Sequence, residues 1–229
     1  MTVLGLDGCK GGWIAIALDD SGYVDAFLAP TAADAERIGL ERWNIDAMVI
    51  DIPVGIPDTE SRLADVEARR FIKPRHSSVF STPVRAALEA PDYNAARIAS
   101  LAASGKSLSK QAWAICDKIR EVDAWVRDAQ VTAREGHPEV SFRAMAGEPI
   151  EHYKKTLSGA MLRRQLLAGE GIELPGSMDA KAFRGVDLDD IHDAGAMAWT
   201  ARRVARGDAV SLPAAPEVFS DGWQSAIWY

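Results

Sequence analysis

Cysteine is nearly missing from this chain of 229 residues. Two thiols, Cys9 and Cys116, cannot build the disulfide framework of a small secreted domain, and with the four histidines they show no zinc spacing. No apolar run approaches the roughly 18 residues that a membrane span needs, so no membrane partner is expected. Met1-Thr2-Val3-Leu4-Gly5-Leu6 enters an apolar stretch at once, without the basic and then long apolar regions of a signal peptide. These lacks together point to a reduced, cytoplasmic setting. Basic charge is scarce too: 26 Lys and Arg stand against 33 Asp and Glu, a net charge of -7. That balance disfavours a protein that clings indiscriminately to polyanions, while local basic patches stay open. No internal repeat, low-complexity tract, clean linker or P-loop is present.

What remains is an ordinary globular composition, 48% hydrophobic and 26% charged, in a chain long enough to bury a sizeable core. Val3–Leu6, Trp13–Leu18 and Tyr23–Leu28 read as three strands joined by Gly- and Asp-rich turns, hence a β-meander. Thr31 offers an N-cap to a helix over about 32–42, and Ala47–Ile50 is a buried strand ending at Asp51. Ile52-Pro53-Val54-Gly55-Ile56-Pro57 must leave that strand as a loop. Helical spacing marks 61–70, 91–103 and 107–129, interrupted by a polar loop at 73–83. Val131–Ala133 and Val140–Phe142 read as strand pieces, 156–169 and 188–206 as helices, and the remainder as a Pro-rich tail. The simplest organisation is one domain over 1–229, with a helical insertion at about 60–127.

Carboxylates mark the places where this order of elements would converge. Asp7 ends the first strand and Asp51 the fourth. Glu139 stands beside a late strand, and Asp190 and Asp193 lie three apart in the first turns of a helix. Singly, each reads best as a turn or helix-capping residue. Together they form an oxygen-rich set that needs protons or cations, suited to Mg²⁺ or Mn²⁺, and a pair of such ions can drive phosphoryl chemistry.

Three antiparallel strands, a helix, a strand and a late acidic helix is the ribonuclease-H-like order. Gly5-Leu6-Asp7-Gly8-Cys9-Lys10-Gly11-Gly12-Trp13, Ile50-Asp51-Ile52-Pro53-Val54-Gly55, Ser77-Ser78-Val79-Phe80, His137-Pro138-Glu139-Val140-Ser141-Phe142 and Asp189-Asp190-Ile191-His192-Asp193-Ala194 closely resemble the DUF429 family. The resemblance runs to the terminal Ile227-Trp228-Tyr229. It implies an α/β fold whose mixed sheet, three antiparallel strands followed by parallel ones, is flanked by helices. It also implies a nuclease that hydrolyses phosphodiester bonds with divalent ions. In the wider superfamily the chain is similar to Holliday-junction resolvases, whose four acids match Asp7, Asp51, Asp190 and Asp193; Glu139 belongs to the DUF429 pattern. The resemblance implies catalytic and metal-binding roles for all five, with Glu139 a further ligand or the group that orients a water.

Two basic regions offer contacts to an anionic substrate. Arg62, Arg69, Arg70, Lys73 and Arg75 cluster around the polar loop, where Arg75-His76-Ser77-Ser78 presents hydroxyls and amides to phosphate. Lys154-Lys155 precede a helix start, another natural phosphate position, and Lys10 lies in the turn after Asp7. His137, held extended by Pro138 and two residues from Glu139, belongs near the site. Lys10, Arg75, His76, Ser77, Ser78, His137, Lys154 and Lys155 are therefore candidate contacts to a nucleic acid or another phosphorylated substrate. Arg163, Arg164, Arg202 and Arg203 read instead as solvated helix faces, and His152 and His192 carry no signal. The tryptophans read as core rather than base-stacking platforms. Two other functions compete: an actin-like or sugar-kinase-like phosphotransferase or ATPase, and a non-catalytic domain that binds a nucleotide or partner.

Overall fold

The computed structural model describes residues 1–229. A five-stranded mixed sheet of order β3-β2-β1-β4-β5 lies at its centre. Strands β1 (Val3–Cys9), β2 (Gly12–Asp19) and β3 (Gly22–Ala29) run antiparallel. Strands β4 (Ala47–Ile50) and β5 (Thr132–Glu135) continue parallel to β1. This is the ribonuclease-H-like arrangement, with helices on both faces.

Alternation along the strands separates the two cores. Leu4 and Leu6 of β1 join Met48 and Ile50 of β4 on the face covered by α1 (Ala32–Trp43) and α6 (Cys116–Trp125). Val3, Ala47 and Val49 point to the other face, under α9 (Leu188–Arg206), with α7 (Pro138–Ala146) and α8 (Leu157–Gly169) beside it. Gly5 lies on this second face. A Cβ added there would come within 1.9 Å of Ala198 N and 2.3 Å of Ala194 O, so β1 and α9 approach backbone to backbone.

Most helix boundaries follow local capping chemistry. Thr31 accepts from Asp34 N at 3.0 Å, and Thr156 from Gly159 N at 3.1 Å, at the starts of α1 and α8. The structure departs from the sequence reading in four places. Val140–Phe142 is not a strand: Pro138 occupies the first helical turn after an extended His137, and both residues belong to the start of α7. The helix expected over 107–129 breaks at Ile115 into α5 (Lys110–Ala114) and α6. A short helix α3 (Arg85–Leu88) precedes α4 (Tyr93–Ser104), and α2 (Leu63–Phe71) matches the first expected helix of that region. The Pro-rich tail is an antiparallel hairpin, β6 (Ser211–Val218) and β7 (Gln224–Trp228). Its two prolines fit because each strand of a two-stranded sheet is an edge. No helix is long and apolar enough to cross a membrane.

Candidate active site

Strand register brings the first two acids side by side. Leu6 pairs with Ile50, and Ile50 with Glu135, so Asp7, Asp51 and Gly136 are the next residues along three adjacent parallel strands. The ladder runs one bond further, with Asp51 N donating to Leu6 O and Gly136 N to Ile50 O, both at 3.0 Å. Asp7 follows Gly5 by two residues and so faces α9, whose first turns carry Asp193 inward. Asp7 and Asp193 are buried, and Asp51 is partly so.

Their electrostatics follow from that crowding. Burial, reinforced by Asp193 and Asp51, raises the Asp7 carboxyl well above its ordinary value. Burial also raises Asp51, against the pull of His137, Lys154 and a hydrogen bond from Asp7. Asp193 is pushed by burial up to about 7, although Lys154 draws it down. The Lys154 ammonium lies 2.5 Å from Asp193 Oδ2 and 3.3 Å from Asp189 Oδ2. Burial disfavours its charge, but Asp193, Asp7 and Asp51 together raise its pKa. Lys154 is thus a counter-ion inside the carboxylate group, a place the sequence reading assigned to substrate contact.

Not every expected acid occupies the same position. Asp190 Oδ2 accepts from Asp187 N at 2.9 Å, the helix-capping role that its place at the start of α9 allows. It stays close enough to Asp7 to help raise that carboxyl. Glu139 touches the group through its field, raising both Asp51 and Asp193. Its two oxygens lie 2.6 and 2.8 Å from Arg163 Nη2. Arg163 was expected on a solvated helix face, yet it is 0% exposed, and it also donates to Gly159 O. Arg202 is buried as well, donating to Glu170 O at 2.7 Å. Alternating charge along a helix cannot reveal such burial, because the partners lie 24 and 32 residues away.

Beside Asp7 and Asp51 opens a cavity of about 450 Å³. Ser78 and His137 line it, whereas Lys10, His76 and Ser77 are exposed elsewhere. Arg75 turns to Ile150 O at 3.3 Å, and Lys155 reaches Asp189 at 3.7 Å. One wall holds a buried ion-pair network that the sequence did not reveal. Arg62 reaches Asp65 Oδ1 at 2.7 Å and Glu135 Oε2 at 2.6 Å, and Glu135 Oε2 also accepts from Val54 N at 2.7 Å. That last bond, with Ile56 N donating to Asp221 Oδ2 at 2.7 Å, fixes the loop after Asp51. Lys118 of α6, another residue without a sequence signal, enters the cavity wall and donates to Gly12 O at 2.6 Å. His192 is buried, its imidazole pushed down to about 4 by burial and by Arg164 and Arg163.

The donor set of Asp7, Asp51 and Asp193 is all hard oxygen, and Asp193 Oδ1 is buried without a hydrogen-bond partner. These residues fit Mg²⁺ or Mn²⁺ in chemical type and in their need for positive charge. With Lys154 seated among them, no three acidic, imidazole or thiol side chains are gathered closely enough to hold an ion.

Neither curated proteins nor solved structures give a match to the chain. The family model described as Protein of unknown function (DUF429) matches residues 5–218, a span that includes Asp7, Asp51, Glu139, Asp190 and Asp193. The chain belongs to the DUF429 family.

Proposed function

We propose that this protein is a divalent-metal-dependent nuclease that hydrolyses phosphodiester bonds at Asp7, Asp51 and Asp193. The observation that carries this reading is the register that sets Asp7 and Asp51 side by side at the ends of β1 and β4, facing the start of α9, where Asp193 is buried with Oδ1 lacking a hydrogen-bond partner. A site that holds carboxylates at such cost gains most from a bound cation and then an anionic substrate. Mg²⁺ or Mn²⁺ bound there, as two ions, would activate a water and stabilise charge on the departing oxygen.

The chain's own groups divide the remaining work. Asp7, Asp51 and Asp193 are the ligands, with Asp190 at the edge of the group. Glu139, clamped by Arg163, adds negative field and holds the start of α7 in place. Lys154 and Lys155, paired with Asp193 and Asp189, are cations beside the acids and would contact the phosphate oxygens of a substrate bound there. His137 Nε2 lies 3.3 Å from Ser78 O, which ties the cavity loop to the start of α7.

Single-stranded DNA, RNA, RNA–DNA hybrid and junction substrates incubated with Mn²⁺ test the reading, with ATP hydrolysis as the control. Cleavage of at least one polymer is expected, falling by about 100-fold or more in Asp7→Asn. ATP turnover without cleavage would favour a phosphotransferase instead. Nucleotide binding with no turnover of either kind would favour a non-catalytic role.

A further inference from the structure

We infer that the cavity beside Asp7 and Asp51 is a nucleoside pocket. The substrate is then a nucleic acid that presents one unstacked nucleotide, at a strand end or in an unpaired stretch, rather than continuous duplex. This rests on the hydrolase reading of the carboxylates and specifies what they act on.

Size is the first reason. About 450 Å³ lies in the range of pockets that enclose one small ligand, and it is far too small for paired strands. The walls come from segments on several sides: the loop after β4, the polar loop after α2, the break between α5 and α6, and β7. A nucleotide must therefore leave its stack to enter, as in enzymes that extrude a base.

The wall chemistry indicates which part of the nucleotide goes inside. Ile52, Val79, Ile115 and Ile227 offer apolar surface, and Phe80, 42% exposed, adds an aromatic ring with no aromatic partner. Such surfaces accept the face of a base whatever its sequence. The lining sets five acids, Asp7, Asp51, Asp65, Asp117 and Glu135, against two cations, Arg62, paired with Asp65 and Glu135, and Lys118, which donates to Gly12 O. That excess of negative charge disfavours a phosphate in the cavity, so the neutral nucleoside fills it. The phosphodiester stays at the Asp7 and Asp51 end, where metal ions would neutralise it.

A carbonyl can only accept, so His137 Nε2 donates to Ser78 O, and this contact holds the imidazole in the cavity wall beside the polar loop.

Calorimetric titration with an uncharged nucleoside, adenosine or cytidine, tests the pocket without involving metal. Binding is expected for the unmodified protein, weakened about tenfold or more by Phe80→Ala and by Ile115→Trp. Phe80 is exposed, so its truncation keeps the test valid if the tryptophan variant misfolds. With Mn²⁺, a single-stranded oligonucleotide should be cut at least about tenfold faster than a blunt, fully paired duplex of the same sequence. Absent nucleoside binding, binding that neither variant weakens, or duplex cut as fast as single strand would overturn the proposal. Nucleoside binding that responds to the variants, with no cleavage of any polymer, would leave the pocket in place and remove the hydrolase reading.

Discussion

Lys154 Nζ stands 2.5 Å from Asp193 Oδ2, so a cation of the chain's own already sits among the carboxylates. Without it, Asp193 and its neighbours would take up protons more readily. Their folded-state pKa values already lie above the unfolded ones, and Lys154→Met raises them further. A raised carboxyl binds extra protons in the folded state, so stability is lost as pH rises through the folded pKa. Lys154→Met is expected to cost about 1–3 kcal/mol near pH 8 and less near pH 5, read from urea unfolding. The same variant should bind Mn²⁺ more tightly, because one competing cation has gone. Equal stability loss at both pH values would mean that Lys154 is a packing residue only.

Arg163 and Glu139 form a buried ion pair with contacts of 2.6 and 2.8 Å. Arg163→Met strands a carboxylate and should cost about 3–5 kcal/mol in chemical denaturation. Adding Glu139→Gln to it should return about half of that. Because both Glu139 oxygens are engaged, Glu139→Gln alone should weaken Mn²⁺ binding less than Asp7→Asn does. The reverse order would make Glu139 a direct ligand.

Gly5 is where β1 meets α9, and its position sets the approach of Asp7 to Asp193. Gly5→Ala forces a Cβ against Ala198 N and Ala194 O, both backbone atoms, so the helix must move. A loss of about 3 kcal/mol is expected. Metal affinity should fall with it, although no proposed ligand has changed. Unaltered affinity in a folded Gly5→Ala protein would separate the strand-helix approach from the site.

The β-meander and the acids at strand ends were legible because both are local, whereas the parallel pairing of β1, β4 and β5 came from the family resemblance. Glycine-rich turns, alternation and a terminal Asp sit within a few residues of one another. Asp193 was legible for a similar reason, being three residues from Asp190 on one helix. The division of labour between those two was not, since capping and inward burial differ only in which way a side chain turns. The Arg163–Glu139 and Arg62–Glu135 pairs were hidden because their members are 24 and 73 residues apart and look like surface charge in a linear pattern. The start of α7 was misread because Val140, Ser141 and Phe142 are buried at consecutive positions. A run of that kind fits a buried helix as well as a strand, and Pro138 was the signal that decides. Lys118 gave no signal because its role depends on the break at Ile115.

The two thiols offer a check on the packing that is independent of the carboxylates. Cys116 is buried between α6 and the sheet, and burial pushes its thiol up to about 11. Cys9 is partly exposed at the end of β1. N-ethylmaleimide at neutral pH should label Cys9 alone in the folded protein and both cysteines after unfolding, read by intact mass. Labelling of Cys116 under native conditions would contradict the burial of α6 in the core on that face of the sheet.

Calorimetric titration of Mn²⁺ into the unmodified protein, Asp7→Asn and Asp51→Asn addresses the carboxylate group itself. Binding with release of protons is expected for the unmodified protein, because burial raises Asp7, Asp51 and Asp193 and a divalent ion favours their ionised form. Each variant should weaken that binding by about tenfold or more. Mn²⁺ bound equally well by all three proteins, or not bound by any, would contradict a metal site at Asp7, Asp51 and Asp193.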